Sequence, residues 1–332
     1  RIDGSWLVDN KAGKDGGAVH FGASALSIAF RRSLFSGNAA LDANFGGGAV
    51  FVLGTGTFER CTFTGNTASA SASSTKAIMG GAVYAAPTTG STSIVNSTFT
   101  NNEARSSQND SLGGALYLSG KSDLLYCTLT NQNTASSRGS NSNGLGGGIY
   151  VVTGPLSITA SAVAGNAASF GSDIFRASGV TINTGGYNRL GEYGITSQSH
   201  PTNYPWTSDS NVKGGKDYDE TGISQSSMFG NGALAINDTS QVNVADITIG
   251  ALVGATDAQA KLLTVALVIS TANPGLDQIP FREGNLFASR IDQRNLSRPQ
   301  PAGGRFDVGA FEAQQDGVCD GFAVERRFAG EH

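Results

Sequence analysis

A repeat of about 33 residues constrains this chain more than any other feature. Gly16-Gly17-Ala18-Val19-His20 returns as Gly47-Gly48-Ala49-Val50-Phe51, Gly80-Gly81-Ala82-Val83-Tyr84, Gly113-Gly114-Ala115-Leu116-Tyr117 and Gly146-Gly147-Gly148-Ile149-Tyr150, at intervals of 31, 33, 33 and 33 residues. A second motif falls between the copies: Phe35-Ser36-Gly37-Asn38, Phe63-Thr64-Gly65-Asn66, Phe99-Thr100-Asn101-Asn102 and Val163-Ala164-Gly165-Asn166. One copy reads as degraded, with Leu129 and Gln132 at the Phe and Asn places. Repeats of this length are single supersecondary units that bury their apolar side only by stacking on one another.

Within each repeat the apolar residues alternate with period two, the signature of strands. Val19/Phe21, Val50/Val52, Leu116/Leu118 and Ile149/Val151 are expected to point inward. A second strand carries a small residue two places before a large one, as in Ser33/Phe35, Cys61/Phe63, Ser97/Phe99, Cys127/Leu129 and Ser161/Val163. Helical periodicity is absent. The pattern predicts an all-β chain, a parallel β-helix or solenoid, with successive coils at the ~4.8 Å strand spacing.

The turn residues fit that fold. Gly-Gly permits positive φ and close approach of neighbouring coils. Asn tolerates the left-handed region, and its amide can bond the amides above and below, so Asn10, Asn38, Asn66, Asn102 and Asn166 are expected to form a structural ladder. Length variation concentrates between the Asn motif and the next Gly-Gly, so Ser69 to Ala77, Arg105 to Ser111 and Ser136 to Asn143 read as loops protruding along one edge. Cys61 and Cys127 fall at one place two coils apart, about 9–10 Å at the strand spacing. That exceeds the disulfide limit of ~7 Å between Cα atoms, so both read as small core residues. Cys319 has no evident partner.

Composition narrows the function classes. Charged residues are 14% of the chain, and the net charge is −4. No basic surface is available to neutralise a row of phosphates, which argues against nucleic acid as partner. The longest strong apolar run, Leu262 to Ile269, is too short to cross a membrane as a helix. Hydrophobic residues still reach 39%, with 17 Phe among them, and recur in register, so the 46 Gly mark turns and not disorder.

The alternation of Gly-Gly-Ala-aliphatic with Phe-x-x-Asn over residues 7 to about 175 resembles the repeats of polymorphic outer membrane proteins. Those repeats form right-handed parallel β-helices on bacterial surfaces. Further on, Gly185-Gly186-Tyr187-Asn188, Asn273-Pro274-Gly275-Leu276-Asp277, Asp292-Gln293-Arg294-Asn295, Arg298-Pro299 and Phe306-Asp307-Val308-Gly309-Ala310-Phe311-Glu312 look like the choice-of-anchor Q domain. Asn295 stands where that family usually has Gly. The resemblance implies a bacterial exported β-helix at the outer cell surface or beyond it, and no reaction.

The expected organisation is regular coils over residues 1–195 and a long excursion over 196–230. A less regular closing region resembling the choice-of-anchor Q end follows over 231–315, then a tail over 316–332. Leu7-Val8-Asp9-Asn10-Lys11-Ala12 aligns with Phe35-Ser36-Gly37-Asn38-Ala39-Ala40, so the first residues read as part of a coil without a cap. An uncapped edge invites pairing, by an upstream segment or by another molecule.

Candidate sites are few. Parallel β-helices include polysaccharide lyases and glycosidases, which need clustered carboxylates. Here Asp15, Asp42, Glu59, Glu103, Asp110, Asp123 and Asp173 are scattered, and none repeats at one place in adjacent coils. Asp209, Asp217, Asp219 and Glu220 could bind Ca²⁺, but the spacing matches no EF-hand and a solvated acidic loop is the favoured reading. His20, His200 and His332 are isolated, and no cofactor is implied. Arg294 and Arg298 read as holding the C-terminal closure through Asp292 or Asp307.

The sharpest candidate is the outward position after each inward aliphatic: His20, Phe51, Tyr84, Tyr117 and Tyr150. These rings would stack into a stripe about 20 Å long at the strand spacing. The stripe is either a stabilising ladder partly covered by the protruding loops or a contact strip for glycan or protein. The expectation is a non-catalytic extracellular structural or surface-assembly protein, a stiff rod contacting other chains at its N-terminal edge or lateral face. An adhesin for glycan or host protein is the alternative, and a polysaccharide-acting enzyme the second.

Overall fold

The computed structural model describes residues 1–22, 26–196, 201–215 and 218–229, the short strands Leu234–Ala235, Gln241–Val242 and Thr264–Val265, and residues 293 and 307–310. The described chain is a parallel β-solenoid. Its third coil serves as the pattern: strands Thr55–Glu59, Thr62–Thr64, Thr67–Ser69, Ile78–Met79 and Val83–Ala85. Each pairs in parallel with its counterpart 28 to 36 residues along, as in Thr57↔Ser93, Phe63↔Phe99, Ala68↔Ala104 and Tyr84↔Tyr117. The columns build sheets of eight, seven, five, three and eight strands. Leu7 pairs with Phe35 and Lys11 with Ala39, the register the motif alignment gives.

Identical positions stack because the coils are in register. Phe35, Phe63 and Phe99 form an inner column with ring centroids 4.5 and 4.7 Å apart and planes within 5° of parallel. Val50, Val83, Leu116, Ile149 and Ile174 form another, all within the main core. Repetition thereby turns one apolar residue per coil into a continuous buried strip, the usual basis of solenoid stability.

The Gly-Gly pair divides its work. At the first position, Gly80 has φ +65, which an L side chain rarely adopts. At the second, Gly81 approaches the next coil so closely that a Cβ would lie 2.0 Å from the Gly114 carbonyl oxygen. Cys61 and Cys127 are buried thiols in a small-residue column, outside any disulfide, and the Cys61 N–H donates to Ser97 Oγ at 3.1 Å.

The degraded repeat is not degraded in space. Asn133, not Gln132, occupies the ladder place, because Asn131 and Gln132 both adopt positive φ (54° and 58°) where the other coils use one left-handed residue. The extra residue is absorbed in the turn, and Leu129 still pairs with Phe99.

Residues 196–230 include a strand that rejoins the stack. Pro201–Asn203 turns back antiparallel on Tyr193–Thr196, and Val212–Gly214 then adds in parallel to Ile182–Gly186. Of the closing region, only residues 293 and 307–310 are described besides the three short strands. They lie along the outer side of the seven-stranded sheet. Gln293 Nε2 donates to Cys61 O and Thr62 Oγ1, Thr98 Oγ1 donates to Gln293 Oε1, and Ala310 N donates to Thr128 Oγ1. Outward threonines in register supply the partners that draw this segment to the side of the coil. The expectations at Asn273–Asp277, Asp292, Arg294, Asn295, Arg298–Pro299, Phe311–Glu312, Cys319 and the 316–332 tail lie outside the described residues.

Candidate functional site

The aromatic stripe is a real stack. Ring centroids run His20–Phe51 4.6 Å, Phe51–Tyr84 4.8 Å, Tyr84–Tyr117 4.9 Å and Tyr117–Tyr150 5.7 Å, all within 9° of parallel. It continues to Phe175, at 5.7 Å from Tyr150. The Gly-Gly-Ala motif is missing there, and only the aliphatic-aromatic pair Ile174-Phe175 marks the place.

The rings point outward but are not exposed. Phe51, Tyr84, Tyr117 and Tyr150 are only 3–8% accessible. The protruding loops fold back as a three-stranded sheet, Ile78–Met79, Ser111–Leu112 and Gly144–Leu145, and Met79, Leu112, Leu145 and Phe170 close over the stack. His20 alone is exposed, with its ring nitrogen Nδ1 3.2 Å from Asp15 O. Burial raises the hydroxyl pKa of Tyr84, Tyr117 and Tyr150. Covered rings that stay neutral form a second, smaller core outside the coil.

The Asn ladder runs through six coils. Asn10, Asn38, Asn66, Asn102 and Asn133 each donate Nδ2 to the next Asn Oδ1, at 2.7 to 2.9 Å. From Asn38 onward each Nδ2 also donates backward, for example Asn102 to Phe63 O at 3.0 Å and Asn166 to Leu129 O at 3.0 Å. Every interior amide is therefore saturated in both directions, which is what burial requires.

Asp173 ends the ladder. Its Oδ1 accepts from Asn166 N and Nδ2, and its Oδ2 accepts from Glu192 N at 2.7 Å. Burial pushes its carboxyl up to about 7 despite those donors.

Most of the described carboxylates weighed as catalytic or metal-binding have structural partners. Asp15 Oδ1 accepts from the backbone of Asn44, Phe45 and Gly46, and Asp110 Oδ1 accepts from Asn143 N. Asp42 pairs with Lys14, Glu59 with Arg31, and Glu103 accepts from Ser136. Asp209 forms a 2.6 Å ion pair with Arg176 and accepts from the Tyr193 hydroxyl. Burial opposes its ionisation, but the Tyr193 hydroxyl, the Asn211 N–H and the Arg176 guanidinium together hold its carboxyl below the ordinary value.

Asp219 accepts from Asn188 N and Nδ2 on one oxygen and from Thr184 Oγ1 and Trp206 Nε1 on the other. All its strong acceptor directions are used by protein donors, and burial raises its pKa. Glu220 lies exposed and 3.4 Å from Arg189 Nε. Asp217 and His200 lie outside the described residues. Among the described residues no three His, Cys, Asp or Glu side chains gather as a metal cluster.

One concavity is built from residues the sequence does not single out. A cavity of about 360 Å³ beside the last coils is lined by Glu192, Tyr193, Asn203, Tyr204, Trp206 and Thr221, among others. Glu192 follows Gly191 in one coil, Asn203 ends the antiparallel strand, and Thr221 arrives after the return. No periodic signal links them.

These features define the class, a parallel β-solenoid scaffold with an inner core, an outer aromatic core and a polar ladder between coils. No protein-family model matches the chain, and no curated protein or solved structure is significantly similar to it. Among the described residues no helix is long and apolar enough to cross a membrane.

Proposed function

We propose that this protein is a non-catalytic structural or surface-assembly component that works outside the cell, a stiff rod that holds other protein chains at fixed spacing. The observation that carries this reading is the unbroken ladder from Asn10 to Asp173. A rod whose coils are joined by saturated amide bonds and two aromatic columns resists bending and opening, as a spacer must. The carboxylates of the coils tie loops to neighbours, which supports a scaffold over a hydrolase. The likeness of its motifs to polymorphic outer membrane protein repeats and the choice-of-anchor Q end supports a bacterial surface location.

The test is the mass and shape of the native particle, by light scattering and electron microscopy of material taken from its source. Ordered filaments or a defined complex support assembly. A monodisperse monomer without partners sinks it.

A further inference from the structure

We propose that the cavity lined by Glu192, Asn203 and Tyr204 is a saccharide-binding site that takes a single neutral pyranose ring. Its volume of about 360 Å³ falls at the small end of the roughly 300–1,000 Å³ range of small-molecule sites. The inference does not rest on the assembly role, and a monomeric rod would leave it standing.

The walls are held before any ligand arrives. Trp206 packs edge-on against Tyr193 at 5.0 Å, and its indole N–H is fixed by Asp219. The Tyr193 hydroxyl is fixed by Asp209 and Arg176, and Tyr204 N donates to Tyr193 O at 2.8 Å. Such pre-organisation lowers the ordering cost of binding.

The lining also carries unspent polar groups of both kinds. Glu192 uses Oε2 to accept from Ser172, which leaves Oε1 as an acceptor. Asn203 uses Oδ1 to accept from Gly171 N, which leaves Nδ2 as a donor. Tyr204 is 39% exposed and offers an aromatic face.

These groups choose among ligand classes. Among the described residues no lysine or arginine lines the cavity, so a phosphate or carboxylate would meet Glu192 without a counter-charge from them. A cationic group would gain from Glu192 and Tyr204 but would face the Asn203 amide donor. A pyranose uses all three: its C–H face lies on Tyr204, one hydroxyl donates to Glu192 and another accepts from Asn203. Aromatic rings with a polar tip suit ligands of this mixed kind. Among the described residues Glu192 is the single carboxylate lining the cavity, which favours binding over glycosidic hydrolysis by a carboxylate pair.

The test uses the whole chain and saturation-transfer NMR with the methyl glycosides of glucose, galactose and N-acetylglucosamine, beside inorganic phosphate and propylamine. At least one glycoside is expected to receive saturation on its ring protons, with a dissociation constant of about 1 mM. Its titration is expected to shift the Trp206 indole N–H resonance and leave that of Trp6 in place. Tyr204→Ala and Asn203→Asp, the latter keeping the acceptor that meets Gly171, should each weaken binding by about 10-fold.

Absence of transfer to every glycoside would overturn the proposal. So would glycoside binding that both variants retain or that leaves Trp206 unmoved. Binding of propylamine or phosphate alone would overturn it as well. Because the Trp206 shift is read on the unaltered protein, loss of folding in a variant leaves the test intact.

Discussion

Asn166 donates its side-chain amide to Asp173 Oδ1 at 2.7 Å, and the Asn166 backbone N–H donates to the same oxygen at 3.0 Å. Residue 173 falls at the place of Gly148, just before the inward aliphatic, and its carboxylate reaches across to supply the acceptor that the next coil's asparagine supplies elsewhere. Its second oxygen meets the Glu192 N–H, so the position needs acceptors on both sides.

Asparagine cannot replace Asp173 as the end of the ladder. Asp173→Asn turns an N–H toward either Asn166 or Glu192, and each already presents a donor. Urea unfolding should show a loss of about 1–3 kcal/mol, the cost of a buried unpaired polar group.

The same carboxyl makes stability depend on pH. Burial raises its native pKa to about 7, while the unfolded chain titrates near 3.9. Between these values the native state holds the proton that the unfolded state has released, so the Asp173 contribution falls as pH rises from about 4 to about 7 and is flat above. The stability difference between wild type and Asp173→Ala, measured across that window, should shrink with rising pH. A difference that grows would reverse the sign assigned here.

Interior and terminal members of the ladder should differ sharply. Asn102→Ala strips partners from the Asn66 amide and the Phe63 carbonyl within the core. It should cost about 3 kcal/mol or more in chemical denaturation. Asn10→Ala removes an exposed amide that serves only one neighbour, and should cost less than about 1 kcal/mol.

The outer aromatic column should behave as core. Tyr117→Ala should lose about 3–5 kcal/mol, while Tyr117→Phe keeps both stacking partners and should lose less than about 1 kcal/mol. Ultraviolet titration should find Tyr84, Tyr117 and Tyr150 silent through the ordinary tyrosine range until the fold opens. Their native pKa values are raised, so their stabilising contribution is lost only as alkaline pH ionises the unfolded chain.

Both core thiols should be inert in the folded protein. Burial pushes the Cys61 thiol up to about 12, and Cys127 is equally enclosed. Peptide mass mapping after alkylation should find Cys61 and Cys127 unmodified under native conditions and fully modified in denaturant.

Periodicity alone specifies the coil. Gly80-Gly81, Phe63 and Asn66 recur at one spacing, and stacking sets each recurrence against itself, so parallel pairing, inner phenylalanines and the amide ladder all follow from periodicity. Where each repeat's side chains end up depends on contacts that only the folded chain makes. Asn133 enters the ladder because a turn absorbs an extra left-handed residue. The Tyr84 to Tyr150 stripe is covered because Met79, Leu112 and Leu145, each one place before a Gly-Gly, fold back over it from loops of unequal length. Asp209 and Asp219 are committed to Arg176, Tyr193 and Trp206, and Glu192 meets Asn203 and Tyr204 around one cavity, through contacts between segments that share no repeat. The physical reason is that a solenoid writes its nearest-neighbour contacts into every repeat. Its closures are single long-range events, each with one copy and no pattern.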